Sequence, residues 1–402
     1  MPEVTVANVP AREAIENFRA KLKITSRRSD EYMGAIHAKA FTVAGATKID
    51  LVNDFHGAVA SALENGTTIT EFRKQFDDIV AKHGWSYKGS RGWRTRTIFD
   101  TNLRSAHAAG RWQQIQRTKK ARPWLVYYTV DDSRVRDEHR KWHLVALPVD
   151  DPWWDTHYPP NGWGCRCWII TASDAQLKRW GIEPAKAPPI NTTERMNTAT
   201  GEYYGEVPEG IDTGWDYNVG KAWLGPDIAL GKRLISMSDA QLAGALPLIG
   251  RQIDELNTSW KVWLKEREGQ PPRGYAHTVG FLPAPVLSVL KSRDIVPSNA
   301  AIVIFDRDTN HGRGDHKSKL ARITKEEFQN LPVELDAHSA VLIHGDELVF
   351  VMKEHADGRT SRAVVAVNFT KKGVQYNSVR SLGRVPIANL RKKDYELIWG
   401  NL

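Results

Sequence analysis

Five side chains able to hold a soft metal ion fall within 29 residues: His139, His143, His157, Cys165 and Cys167. Any four would satisfy a tetrahedral zinc ion. Against that, C-x-C is short spacing for two ligands on one ion, where the usual knuckle has two intervening residues. In an extended strand Cys165 and Cys167 point to the same face, where free thiols pack as small apolar groups. The expectation is a packed Trp, His and Cys core without a cofactor, with zinc at these five residues as the alternative. Cys165 and Cys167 are the only cysteines, so a disulfide scaffold is excluded. Trp153, Trp154, Trp163 and Trp168 offer faces on which bases could stack. They sit in a stretch, residues 123–213, whose net charge is −5 and which would repel phosphate. Core or subunit-interface use is expected for them.

The elements that must position these groups are legible in outline. Residues 11–116 read as helices: Ile15, Phe18 and Leu22 recur at helical spacing, as do Val52, Phe55, Val59 and Leu63. Thr68 and Glu71 form a capping box ahead of the stripe Phe72, Phe76, Ile79, Val80, and Gly84 stops that helix. A further helix carries Arg94, Arg96, Arg104, Arg111 and Arg117. Residues 124–130 and 165–171 are rich in β-formers and predict two strands. Residues 184–214, with several Pro and Gly, predict irregular wrapping chain. Leu242, Leu246, Ile249 and Ile253 share one helical face. Residues 266–274, charged and carrying Pro271 and Pro272, are the best linker and the expected main boundary. Beyond them short β-branched runs at 301–306, 340–344, 347–354 and 361–369 alternate with turns, and Thr324 with Glu327 caps one helix. The expected class is α+β, in four parts. Residues 1–122 form a basic helical region and 123–225 a small α+β core with wrapping loops. Residues 226–270 are a helical connector, and 275–402 an antiparallel sheet with one or two helices.

The 402 residues carry net charge +9, and residues 1–122 alone carry +9. Such a field attracts nucleic acid and acidic protein surfaces alike. No stretch reaches the roughly 18 apolar residues a membrane span needs, and residues 1–10 lack the basic flank and apolar core of an export signal. A cytosolic product with no membrane partner is expected.

Residues 131–167 read DDSRVRDEHRKWHLVALPVDDPWWDTHYPPNGWGCRC. An arginine-rich helix, a strand, a D-x-R-x-R-x-x-H segment and a closing P-P-N-G-W-x-C-R-C follow one another, and G-W-D-Y-N comes later at 214–218. This succession, over about residues 50–220, resembles the Mu F-like phage head-morphogenesis family. The resemblance implies a minor capsid component of a tailed phage or prophage, present in few copies during prohead assembly near the portal. Its partners would be the portal protein and the major capsid or scaffold proteins, with a contact to packaged DNA. It would occupy the host cytoplasm during assembly and then the virion head. Asp131, Arg134 and Arg136 are expected to form a buried ion-pair network beside His139, the alternative being an exposed mixed-charge turn.

Residues 275–402 resemble the nuclease-like domains of barnase, colicin and RelE type that such proteins carry, through His277, the H-G-R-G-D-H-K segment at 311–317, the hairpin strands and a late basic stretch. The resemblance implies RNA cleavage without metal, by a ribose 2′-hydroxyl activated against its neighbouring phosphate. That reaction needs a base, an acid and cations for the phosphorane charge. His316 would be base or acid, partnered by His311 or His277. Lys317, Arg313, Lys353 and Arg362 would hold phosphate, with Ser378 and Arg380 near the scissile group. Two other readings stand beside it: a purely structural head protein with an inactive accessory domain, and a zinc-binding nucleic-acid protein. The glycines of the 311–317 segment do not fit a P-loop.

Overall fold

The computed structural model describes residues 11–130, 132–197, 201, 203–312 and 319–402. Helices together with mainly antiparallel sheets give an α+β protein of two compact units divided between Leu224 and Gly225.

The first unit opens with helices Arg12–Arg19, Ile49–Asn65 and Ile69–His83 and the 28-residue Arg91–Thr118. Their apolar stripes close on one core in which Phe18, Val52, Phe55, Val59, Phe72 and Phe76 are fully buried. The Thr68–Glu71 box caps Ile69–His83 as its sequence predicts, and Gly84 ends it in the left-handed region at φ 57°. The long helix serves two cores. Its first half puts Ile98 and Phe99 into the helical core, and its second half puts Ala109, Trp112 and Ile115 into the next. For that reason no boundary falls at residue 122.

The second core lies on a three-stranded antiparallel sheet with Trp124–Tyr128 at its centre, flanked by Ala146–Pro148 and Trp168–Ala172. Leu125 and Tyr127 project into it with Trp142, Trp153 and Trp154. The second strand starts at Trp168, three residues later than its sequence suggests, so Cys165 and Cys167 belong to the loop that enters it. Residues 184–214, expected as irregular wrapping chain, hold a hairpin, Thr192–Met196 with Tyr203–Pro208, whose first strand is exposed and whose second buries Val207 in this core. The short helix Val219–Leu224 closes the unit against the long one, and Asn218 fixes it: its Oδ1 accepts from the Gly220 and Lys221 amides and its Nδ2 donates to Trp154 O.

The second unit is a seven-stranded sheet. Its order is Glu396–Gly400, Ala340–His344, Glu347–Glu354, Arg359–Lys371, Val374–Pro386, Ala301–Phe305, Ala276–Phe281. All neighbours are antiparallel except Val374–Pro386 with Ala301–Phe305. Three of these strands, 276–281, 374–386 and 396–400, have too little apolar alternation to be read from sequence. Helices Ile228–Ile235, Asp239–Gly250 and Ile253–Arg267 pack in this unit, with Trp260 fully buried and donating through Nε1 to Phe328 O. The stretch 266–274, taken from composition as the main boundary, thus lies inside a unit, because the helices before it bury their apolar face within the same unit as the strands after it.

Candidate functional site

The P-P-N-G-W and C-R-C residues form one hydrogen-bonded construction around His139. Fully buried Asn161 accepts from Tyr127 OH at 3.0 Å and donates to Thr156 O at 3.2 Å. Gly162 has no room for a side chain, since a Cβ there would overlap the Arg136 guanidinium and the Asp212 carboxylate. Those two groups are ion-paired at 2.7 Å, and Asp212 also accepts from the Trp163 amide at 2.7 Å. Arg104, from the long helix, donates to the carbonyls of Gly164 and Cys165 at 3.2 and 2.6 Å. Arg166 grips Asp132 with two hydrogen bonds of 2.6 and 2.7 Å, and Arg134 adds a third contact at 3.2 Å. Asp132 is consequently held well below the usual carboxylate range.

The expected network of Asp131, Arg134 and Arg136 is therefore divided. Arg134 meets Asp132, whereas Arg136 meets Asp212, 76 residues away in sequence. Asp131 lies outside the described residues.

At the centre, His139 Nδ1 is 3.8 Å from Cys165 Sγ and 3.4 Å from Cys167 Sγ. Its Nε2 is 2.8 Å from the Gly210 carbonyl oxygen, which can only accept. The ring proton thus sits on Nε2, and the Nδ1 lone pair faces the two sulfurs. Gly210 is required for this approach: its φ is 82°, and a Cβ would lie 2.6 Å from Glu138 Cβ. Trp142 stacks on the imidazole with centroids 5.0 Å apart. The hydrogen bond from Cys167 holds the Cys165 thiol well below its usual range despite burial; the same bond and burial push Cys167 up.

The other two sequence candidates do not join. His143 turns its Nδ1 to Thr129, 3.1 Å from both the amide nitrogen and the hydroxyl. His157 stacks on Trp153 at 4.2 Å and turns its Nδ1 to Thr156 Oγ1. Burial lowers its pKa to about 4, so it is a neutral core histidine. Of the four tryptophans, Trp153 and Trp154 are core, while Trp163 and Trp168 are 48% and 44% exposed and lean on Trp215 and Tyr128.

In the second unit His277 is buried beside Trp260 and Trp263, with Ser259 Oγ 3.3 Å from its Nε2. Lys353 is exposed and Arg362 half-buried on neighbouring strands. The Ser378 hydroxyl is buried without a hydrogen-bond partner. Arg380 pairs with Asp308 at 3.3 Å and covers the Phe369 ring. The His311 side chain, together with Arg313, His316 and Lys317, lies outside the described part of the structure.

Residues 53–170 match the family described as Phage Mu protein F like protein. The chain is 30% identical to the putative capsid assembly protein F of Escherichia phage Mu over 407 residues, covering 92% of this chain and 90% of that protein. It is 32% identical over 241 residues to the Mu-like prophage FluMu F protein of Haemophilus influenzae, covering 53% of this chain and 57% of that one. No solved structure matches it. The chain belongs to the Mu F-like protein family.

Proposed function

We propose that this chain is a minor head protein of a tailed phage or prophage, acting in capsid assembly near the portal. The similarity to phage Mu's putative capsid assembly protein F carries this reading, because it runs through both units rather than stopping at the 53–170 match. Among the described residues no helix is long and apolar enough to cross a membrane. Portal, major capsid and scaffold proteins are the partners. Part of the basic surplus on the long helix is engaged within the chain. Arg94 is buried and donates to the Ala44 and Lys88 carbonyls, Arg104 holds the C-R-C loop, and Arg117 pairs with Glu13. Exposed Arg96 and Arg111 remain on that helix for DNA or an acidic capsid surface. Epitope-tagged protein should sediment with proheads isolated during assembly; recovery only in the unassembled fraction would sink the reading.

The finer reading makes residues 275–402 a metal-independent ribonuclease. Support comes from Lys353 and Arg362 on neighbouring strands, where two cations can meet one phosphate backbone. Full-length protein should then cleave RNA in EDTA, and His316→Ala should slow cleavage about 100-fold, the scale of losing a general acid or base. No cleavage, or cleavage indifferent to His316→Ala, removes the enzyme and leaves the head protein.

A further inference from the structure

We propose that His139 Nδ1, Cys165 Sγ and Cys167 Sγ together bind one zinc ion. Their donor atoms all lie within 4.8 Å of one another. Ordinary zinc bond lengths and a tetrahedral angle place a nitrogen and a sulfur donor about 3.6 Å apart. The two observed N···S separations, 3.4 and 3.8 Å, bracket that value. Close spacing of the two cysteines is no obstacle here, because they sit in a loop and not in a regular strand, and both thiols converge on the imidazole.

What separates this cluster from a packed pair of thiols is the shell around it. The Gly210 carbonyl fixes the tautomer whose free lone pair faces the sulfurs, which is the usual support of a metal-bound histidine. Arg104 donates to the Gly164 and Cys165 carbonyls and so fixes the loop that presents the thiols. The glycine at 210 is held open so that a carbonyl, not a side chain, reaches the ring. Two thiolates and an imidazole select zinc over magnesium, calcium or manganese, which prefer oxygen. Among the described residues no fourth His, Cys, Asp or Glu joins the three, so water completes the tetrahedron. The ion would tie together three segments far apart in sequence: helix Asp137–Lys141, the C-R-C loop and the turn at Gly210.

Metal content of the purified full-length chain, kept reduced, should be one zinc per chain and survive dialysis. Cys165→Ala and His139→Asn should each lower it at least tenfold. Wild-type protein stripped with a chelator should take up one equivalent of Co²⁺ with thiolate-to-cobalt charge-transfer absorption, a result that needs no variant to fold. A wild-type chain holding less than a tenth of an equivalent of zinc and giving no thiolate–cobalt band overturns the proposal, as does a folded Cys165→Ala chain with unchanged zinc.

Discussion

Glu327→Ala should cost the second unit about 3 kcal/mol, the scale of removing one partner from a buried ion pair. Glu327 is in the capping box of helix Lys325–Gln329, yet it does more than cap. Its carboxylate accepts from the Thr324 amide and Arg384 at 2.6 Å each and from the Ser361 hydroxyl, and His355 Nε2 is 3.3 Å away. Arg384 and Ser361 face each other across strands Arg359–Lys371 and Val374–Pro386, so one side chain pins a helix to two strands. Alanine leaves the Arg384 guanidinium largely buried without its counter-charge. Burial alone would raise the Glu327 pKa, but hydrogen bonds from Ser361, Thr324 and Arg384 outweigh it and hold the group at about 2. With the folded value depressed, the stabilisation is present above the unfolded carboxylate pKa near 4.3 and is lost as pH falls toward 2. After allowance for solvent screening that pH-dependent part is about 1–2 kcal/mol. Urea unfolding followed by hydrogen exchange in strand Glu347–Glu354 reads both effects. A Glu327→Ala chain within about 0.5 kcal/mol of wild type, the range of ordinary surface substitutions, contradicts this role for the carboxylate.

Gly220→Val should be as damaging in the first unit, by about 3 kcal/mol or more. A Cβ at Gly220 would overlap the Trp112 side chain, where the short helix Val219–Leu224 crosses the 28-residue one. Trp112 is itself buried, packed edge-on against Tyr158 at 5.0 Å, and cannot retreat without disturbing the core. Asn218 fixes the start of the short helix through its own hydrogen bonds, so that helix cannot slide away either. Thermal unfolding of Gly220→Val should show the first unit melting well below wild type with the second unit unchanged. Equal melting of both chains would mean that the two helices can separate freely, against the close packing of Gly220 on Trp112.

What sequence reasoning reached was what local chemistry dictates. The boxes Thr68–Glu71 and Thr324–Glu327 span three residues each and form as expected. Strand Trp124–Tyr128 is a continuous run of β-formers, and the C-R-C cysteines do share a side, though from a loop. What escaped depends on distant partners. Nothing near Arg136 in sequence points to Asp212, and the importance of Gly210 lies in a carbonyl that meets an imidazole 71 residues earlier. Nothing near Asp132 in sequence points to Arg166, 34 residues on, which grips its carboxylate. His143 and His157 are candidate ligands by residue type alone, and each turns its Nδ1 to a threonine. Helices between 228 and 267 were legible as helices, while their place in the second unit was set by tertiary burial that periodicity does not encode.

The head-assembly role is tested most directly by deleting this gene from the phage or prophage that carries it and counting DNA-filled heads by electron microscopy after induction. Few or no filled heads and a loss of infectious particles are expected, both restored by the wild-type gene supplied in trans. Normal numbers of filled, infectious particles from the deletion would contradict that role.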